Sequence, residues 1–409
     1  MSDEKAKKPA GAVTLRVNLI NVGHTSWYWV QRSNMPHKLL FSLYKGQLML
    51  GEDKACVGLN LADIGAQQWL SVATAEQRAH IRTVKLTTPE ELDMIEQLPN
   101  LEAIECSGLD GEHLKWLCER NMPLRFLYLS WCDYLRQLEP LAAVKTLVRL
   151  TLSDNAALQD LSALRFLTGI RRLDIINCDL VIELDPIATL KKLNRLVLRN
   201  CDNIRKLNPV AVLPELNSLD LSRCKQITDL TPLSTMDCLR VLDISDCDGI
   251  RDISSLQALQ KLEELHLFGC DRFRDLRPLY RLTNLRRFSL PNSVTDGDLL
   301  GICLSFNKLQ LMDLRNCASV SDLSPLVHLK DLADLSLASC HGIADLGPLA
   351  NLSKLNQLDL AACPGVADLT PLHGLKNLRD LYVGGCVKLT REEIEKFAKA
   401  NPKCKVHTV

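Results

Sequence analysis

The sequence predicts an α/β repeat solenoid: a curved parallel β-sheet on the concave face, short 3-10 or helical turns on the convex face, and a cap at each end. Three observations predict it. Cysteines recur at a fixed interval, an L-x-x-L-x-L run precedes each of them, and an I-x-D-L-x-P-L run follows many of them. The stretch LSRCKQITDLTPL, which begins at Leu221, carries the pattern and returns as ISDCDGIRDISSL, LRNCASVSDLSPL, LASCHGIADLGPL and LAACPGVADLTPL.

The interval is regular enough to set the architecture. Cys178, Cys201, Cys224, Cys247 and Cys270 stand 23 residues apart, as do Cys317, Cys340, Cys363 and Cys386. The step from Cys132 to Cys178 is 46, two such intervals, with Asn155 at its midpoint. The step from Cys270 to Cys317 is 47, one interval of 23 and one of 24, with Ser293 near the gap. Ahead of the cysteines lie Leu124/Leu127/Leu129, Leu147/Leu150/Leu152, Leu216/Leu219/Leu221 and Leu355/Leu358/Leu360. Thirteen copies run from Leu101/Ile104/Cys106 to Leu378/Leu381/Val383, and a fainter one precedes them at Ile81/Val84/Leu86. Alternation across x-L-x-L is strand periodicity, with every second side chain buried. One strand per unit gives a parallel sheet, and thirteen strands about 4.8 Å apart extend roughly 60 Å.

This layout resembles the leucine-rich repeat family, whose signature is L-x-x-L-x-L-x-x-N/C-x-L, over residues 81 to 409. The I-x-D-L-x-P-L half resembles the internalin and phosphatase-1-regulator types, which carry asparagine and a period of 22 residues. Cysteine with a 23-residue period is similar to the leucine-rich repeat proteins of kinetoplastids. The resemblance implies a surface that binds protein partners. It also implies that the cysteine takes the place of a turn-filling asparagine.

One unit can be read residue by residue. Leu219 and Leu221 point inward, and Cys224 sits inside the turn as a small hydrophobe and weak donor. Ile227 and Leu230 refill the core, and Leu233 and Met236 close the unit. Thr231 is expected to cap a helical turn that begins with Pro232, because a hydroxyl accepts orphan N–H bonds and proline loses nothing at the first helical position. The same slot holds Ser162, Asp185, Asn208, Ser254, Ser324 and Thr370.

Two units depart from the short pattern. Residues 109–123 and 296–307 place Leu114, Leu117 and Cys118, and Leu299, Cys303 and Phe306, at helical spacing. Full helices are expected there, as in ribonuclease-inhibitor-like repeats, and the second absorbs the extra residue of the register. Residues 1–12 read as a polar, lysine-rich tail, 13–78 as an N-terminal capping region or small module, 79–386 as the solenoid, and 387–409 as a C-terminal cap. The N-terminal region contains Trp27, Trp29 and Trp69. At the other end Thr390 and Glu393 fit a capping box with Leu389 and Ile394 flanking it, Asn401-Pro402 stops the helix, and KCKVHTV supplies an edge strand.

Composition narrows the function classes. Lys+Arg and Asp+Glu are both 49, so the chain lacks the basic excess of a general polyanion binder. Nucleic acid is therefore expected only indirectly, through a complex. No apolar run is long enough to span a membrane, and 16 cysteines in a chain without an apolar leader read as reduced thiols, placing the protein in the cytoplasm, with the nucleus or cytoskeleton as alternatives. No GxxxxGK[ST], HExxH, GxSxG or C-x-x-C motif is present, and the nine histidines share no repeat offset. No catalytic residue, metal, cofactor or small-molecule substrate is expected.

Function is therefore expected on the exposed strand positions of the concave face, the third and fifth after each first leucine counted as one. Arg149, Arg172 and Arg195 stack at the third position with Arg199 alongside, and Asp174 and Asp154 lie close enough to answer part of their charge. Phe126, Tyr128 and Trp131 form an aromatic cluster just before them, expected to be exposed. Arginine beside aromatics is the composition of interface hot spots. Further along the face is acidic, with Asp220, Asp243, Asp313 and Asp359 at the fifth position, joined by Asp334 and Asp380. The leading expectation is a non-enzymatic scaffold or adaptor that holds a protein partner in the concave face, within a cytoskeletal, flagellar or ribonucleoprotein complex. The alternatives are an F-box-like substrate receptor, suggested by MPHKLLFSLY followed by Trp69, and a phosphatase regulatory subunit, suggested by the I-x-D-L-x-P-L half.

Overall fold

The computed structural model describes residues 42–44, 47–49, 57–61 and 64–408. Trp27 and Trp29 lie outside the described residues. The chain divides into two compact units, Met1–Leu193 and Asn194–Val409.

The first unit opens with an antiparallel pair, β1 (Ser42–Tyr44) and β2 (Gln47–Met49). A parallel sheet follows, built of β3 (Val57–Asn60), β4 (Ile81–Leu86), β5 (Ala103–Ser107), β6 (Phe126–Ser130), β7 (Arg149–Ser153) and β8 (Arg172–Ile176). The faint repeat at Ile81/Val84/Leu86 is thus a full strand with all three side chains buried. The strand before it, β3, lies in the region read from sequence as a cap and pairs in parallel with β4.

The second unit repeats the arrangement with β9 (Arg195–Arg199), β10 (Ser218–Asp220), β11 (Val241–Asp243), β12 (Glu264–His266) and β13 (Arg287–Ser289). It continues through β14 (Leu311–Asp313), β15 (Asp334–Ser336), β16 (Gln357–Asp359), β17 (Asp380–Tyr382) and β18 (Lys405–His407). Each pairs in parallel with the next. Register follows the sequence period: Leu219 lies opposite Leu242, and Leu242 opposite Leu265. At most strand entries one carbonyl serves two donors. Asn217 O accepts from the N–H groups of Arg240 at 2.8 Å and Val241 at 3.0 Å, so the next strand is docked before it begins. The apolar positions read from sequence all go inward, and Leu219, Leu221, Ile227, Leu230 and Leu233 are buried.

The turns behind the strands are mostly 3-10 helices, such as Thr231–Thr235 and Thr370–Gly374, with an α-helical turn at Asn208–Ala211. Their caps differ from the expectation. The residue before each turn is a leucine or isoleucine, and Thr231 and its equivalents cap nothing with their side chains. The aspartate of I-x-D-L-x-P-L does the work from two residues upstream: Asp229 Oδ1 accepts from Thr231 N at 2.8 Å, Asp252 from Ser254 N at 2.8 Å, and Asp368 from Thr370 N at 2.8 Å. Leu230 itself has φ −97° and ψ 0°, not extended, so residue 231 is already inside the turn and its N–H must be met from behind.

The two full helices stand where the apolar spacing put them, at Gly111–Glu119 and Asp296–Ser305. Their Leu114, Leu117 and Cys118, and Leu299, Cys303 and Phe306, are buried. Asp110 caps the first, and Thr295 with Asp298 forms a reciprocal capping box on the second. The C-terminal helix Arg391–Ala400 is capped by Thr390, which accepts from Glu393 N. Glu393 turns the other way, its carboxylate accepting from Leu369 N at 3.2 Å, so it ties the helix to the last 3-10 turn. Among the described residues no helix is long and apolar enough to cross a membrane.

Each rung is held only by its neighbours, so one core truncation is felt in full. Leu242 is completely buried. Leu242→Ala is expected to lower unfolding free energy by about 2–5 kcal/mol, measured by chemical denaturation. An unchanged midpoint would contradict its placement.

Candidate functional site

The repeated cysteine is structural. Cys224, Cys247, Cys270, Cys340 and Cys363 are buried, and each Sγ donates to the backbone carbonyl 26 residues upstream, from Cys224 to Leu198 O at 2.7 Å to Cys247 to Leu221 O at 3.1 Å. Asn155, the one asparagine in that slot, does more: Nδ2 donates to Leu129 O at 3.0 Å, and Oδ1 accepts from Cys132 N at 2.8 Å. A thiol supplies the donor and fills the space, and its sulfur meets the backbone N–H of the preceding repeat as a weaker acceptor than the amide oxygen, as at Cys270 with Cys247 N and Cys363 with Cys340 N. Burial pushes the thiols up, Cys178 to about 11 and Cys270 and Cys363 to about 12, where thiolate is absent at neutral pH. No cluster of three or more His, Cys, Asp or Glu suited to a metal occurs among the described residues.

The strand face of the first unit carries Phe126, Tyr128, Arg149, Arg172 and Asp174. Asp174 is its centre. Almost wholly buried, its carboxylate accepts from Arg149 Nη2 at 2.9 Å, Arg172 Nε at 2.9 and 3.0 Å, and Thr151 Oγ1 at 3.2 Å. Asp154, the second expected partner, is taken up by Asn177 Nδ2 at 2.6 Å and by its neighbour Ser153. The Arg149 guanidinium lies over the Tyr128 ring, 4.9 Å from its centroid. The expected exposure of the aromatics is corrected here: Phe126 and Tyr128 are only 8% exposed, packed with Ala103 beneath the arginines. Burial raises the Tyr128 phenol, against the pull of Arg149 and Arg172.

Trp131 is the exception. It is 63% exposed, and its backbone has φ 55°, the left-handed region. Most repeats adopt that conformation at this slot, filled in the first unit also by Gly108, Asp154 and Asn177 and in the second by Asn200 and Gly269 but also by Arg223, Ser339 and Ala362. Glycine, asparagine and aspartate tolerate it at low cost, whereas a bulky side chain such as Trp131 or Arg223 adopts it at a greater one. The Trp131 N–H is held by Ser153 O at 3.1 Å.

Arg195 and Arg199 belong to the second unit. Arg195 Nη1 donates to Ser218 Oγ at 3.1 Å, while its Nε is buried with no hydrogen-bond partner among the described residues. Arg199 reaches Asp220 at 2.6 Å and Ser222 at 3.1 Å, yet half of its side chain remains exposed. The acidic positions divide by their partners. Asp220, Asp243, Asp313 and Asp359 each accept a backbone N–H two residues on, which fixes the strand-to-turn corner. Asp313 also pairs with Arg315, and Asp380 with His407 at 2.8 Å. Asp334 is half-buried, and burial raises its carboxyl.

Sequence reading passed over His266, which stands at the fifth strand position. Its Nδ1 lies 2.9 Å from Ser289 Oγ, and its other nitrogen faces Glu264 across 3.9 Å. Contact with Glu264 raises the imidazole, with Asp243 and Asp220 adding to it. This pairing therefore contributes stability below the ordinary imidazole range and loses it as pH climbs through the raised value.

No family model matches the chain, and no curated protein matches it either. Among solved structures, a leucine-rich repeat protein of Leptospira interrogans aligns over 81% of this chain and 91% of its own length, with TM-score 0.56 and 19% identity. The fold is that of a leucine-rich repeat protein. An internalin of Listeria monocytogenes also aligns, over 79% of this chain and 84% of its own, with TM-score 0.48 and 22% identity.

Two outcomes follow from this geometry. Asp174→Ala strands two arginines beside a buried void and is expected to cost about 3–5 kcal/mol, measured by urea unfolding. Maleimide labelling of the native chain, mapped by mass spectrometry, is expected to reach the half-buried Cys238 and Cys404 first and to spare Cys224, Cys247 and Cys363 until denaturant is added. Native labelling of those three at the denatured rate would show the ladder to be open.

Proposed function

We propose that this chain is a non-enzymatic scaffold that grips a protein partner on its strand face, as a subunit of a larger cytoplasmic complex. Trp131 carries the reading. A tryptophan held in a left-handed backbone contributes little to the fold, costs stability of order 1–3 kcal/mol, and exposes the side chain most enriched in binding hot spots. In the first unit it stands next in sequence to β6, whose Phe126 and Tyr128 support the Arg149–Asp174–Arg172 array. Phe126, Tyr128, Arg149 and Arg172 form the rigid floor of this surface, and Trp131 is its anchor. In the second unit Arg199 offers a half-exposed guanidinium, and Asp243, Asp334 and Asp359 offer carboxylates with no ion-pair partner among the described residues. A cytoskeletal or ribonucleoprotein assembly suits such a mixed surface. The F-box-like alternative needs helices across MPHKLLFSLY, and its described residues, Ser42–Tyr44, are a strand instead.

The test must spare Arg149 and Asp174, whose replacement disturbs the fold itself. Trp131→Ala removes an exposed group and is expected to reduce recovery of the main copurifying protein at least tenfold while leaving the unfolding midpoint in place. Arg199→Ala is expected to reduce recovery as well. Because it also unpairs the buried Asp220, its recovery is measured at a temperature where its own unfolding curve shows it folded. Full recovery with the double variant would end this reading.

A further inference from the structure

The strand-entry edge of the second unit carries a feature that the strand-face reading does not use. Gln310, Ala333, Asn356 and Arg379 occupy the same slot of successive repeats, one residue after Leu309, Leu332, Leu355 and Leu378. Their backbones are locked in register: Ala333 N donates to Gln310 O at 2.8 Å, Asn356 N to Ala333 O at 2.7 Å, and Arg379 N to Asn356 O at 2.7 Å. Earlier in the same slot the edge is closed by side chains, since Arg240 pairs with Glu263. Ala333 has nothing beyond Cβ, and a groove of about 460 Å³ opens at this edge, lined also by Asp331, Lys354 and Asn377. That volume is in the range of small-ligand sites.

The hydrogen-bonding capacity of the lining is mostly unspent. Asn377 Nδ2 donates to Ser353 O at 2.8 Å and Asn356 Nδ2 to Asn377 O at 3.4 Å, which leaves both amide oxygens as acceptors. The Gln310 amide makes no side-chain hydrogen bond among the described residues. Arg379 donates through Nη1 to Lys376 O at 3.1 Å and Leu378 O at 3.4 Å, which leaves Nη2 and Nε. Lys354 is bound to Asp331 at 2.5 Å, and an ammonium has three donors. Two cations against one carboxylate leave the groove one positive charge in excess.

We propose that this groove binds an extended, carboxylate-bearing peptide segment. Amide side chains present donor and acceptor together and so match the alternating N–H and C=O of an extended backbone. Four rungs about 4.8 Å apart give a track of roughly 14 Å, the length of about four extended residues. The free face of Arg379, beside Lys354, is suited to a carboxylate, since a guanidinium binds it in a two-pronged fashion. None of the lining residues is aromatic, so the groove lacks the stacking platform that a sugar ring or a base would use. The carboxylate can be a chain terminus or an acidic side chain, and the chemistry at Arg379 is the same.

The experiment uses the full chain and fluorescence anisotropy with four labelled probes. These are Ala-Ser-Gly-Asp-Glu with a free C-terminus, the same peptide amidated, Ala-Ser-Gly-Asn-Gln amidated, and a tetragalacturonate. Saturable binding of the acidic peptides, at least tenfold tighter than that of the neutral one, is the expected result. The amidated acidic peptide separates side-chain recognition from terminus recognition, and binding of either acidic form supports the site. Arg379→Gln and Ala333→Phe are each expected to weaken binding at least tenfold, while Trp131→Ala leaves it unchanged, which keeps this groove distinct from the strand face. Arg379 is exposed and Ala333 half-buried at the groove, and an unchanged unfolding midpoint confirms an intact fold in each variant. Three results would overturn the proposal: no peptide binds, the neutral peptide binds equally, or the tetragalacturonate binds and the peptides do not. Acidic-peptide binding untouched by both groove variants would overturn it as well.

Discussion

The structure depends on how a buried turn satisfies its backbone. At the end of every strand the chain must reverse inside an apolar stack, and a carbonyl is left facing the next repeat with no water to meet it. The thiols of Cys224, Cys247, Cys270, Cys340 and Cys363 meet it. An unanswered buried carbonyl costs about 1–3 kcal/mol, so a row of such contacts decides whether the stack forms. Cysteine is well chosen for a slot that wants one donor and a small apolar body. Asn155, whose amide makes the same two contacts with a stronger acceptor, shows what the alternative solution looks like in the same chain.

The strand face is built on that regularity and departs from it in few places. In-register stacking brings side chains of adjacent rungs together whatever their charge. Arg149 and Arg172 are tolerable neighbours only because Asp174 takes both, and the three form a rigid plate with Tyr128 beneath. The plate positions what lies around it more than it invites a ligand. The exposed Trp131 of the first unit and the half-exposed Arg199 of the second stand at the ends of strands, where the chain turns away.

Much of this was legible in the sequence, and for a physical reason. Strand alternation and the 23-residue interval state which residues face inward, and Leu219, Leu221, Ile227 and Cys224 are buried as that alternation requires. The helices at Gly111–Glu119 and Asp296–Ser305 were readable because helical spacing interrupts the strand-turn rhythm. Three features were not. The strand Val57–Asn60 places Leu59 and Leu61 at strand spacing, but Leu59 pairs with Val84, 25 residues on and out of the 23-residue interval, and no I-x-D-L-x-P-L run follows it to mark a repeat. The turn caps come from Asp229, Asp252 and Asp368, because the backbone of the preceding leucine is already bent, a conformational detail that residue type does not reveal. Phe126 and Tyr128 are covered because offset reports the face of a sheet and not the depth, and depth is set by the long side chains of the adjacent strand. His266 was missed in the same way, since its neighbours Glu264 and Ser289 meet it only in space.

The helix Asp296–Ser305 lengthens its repeat by one residue, yet Phe288 still lies opposite Met312 and the ladder continues without a bulge. The added length is absorbed behind the sheet. Length changes on that side are therefore decoupled from strand pairing, which makes the back of each repeat the natural place for inserted segments or for an engineered graft. The front can be resurfaced one side chain at a time, and the two faces of the molecule are free to diversify independently.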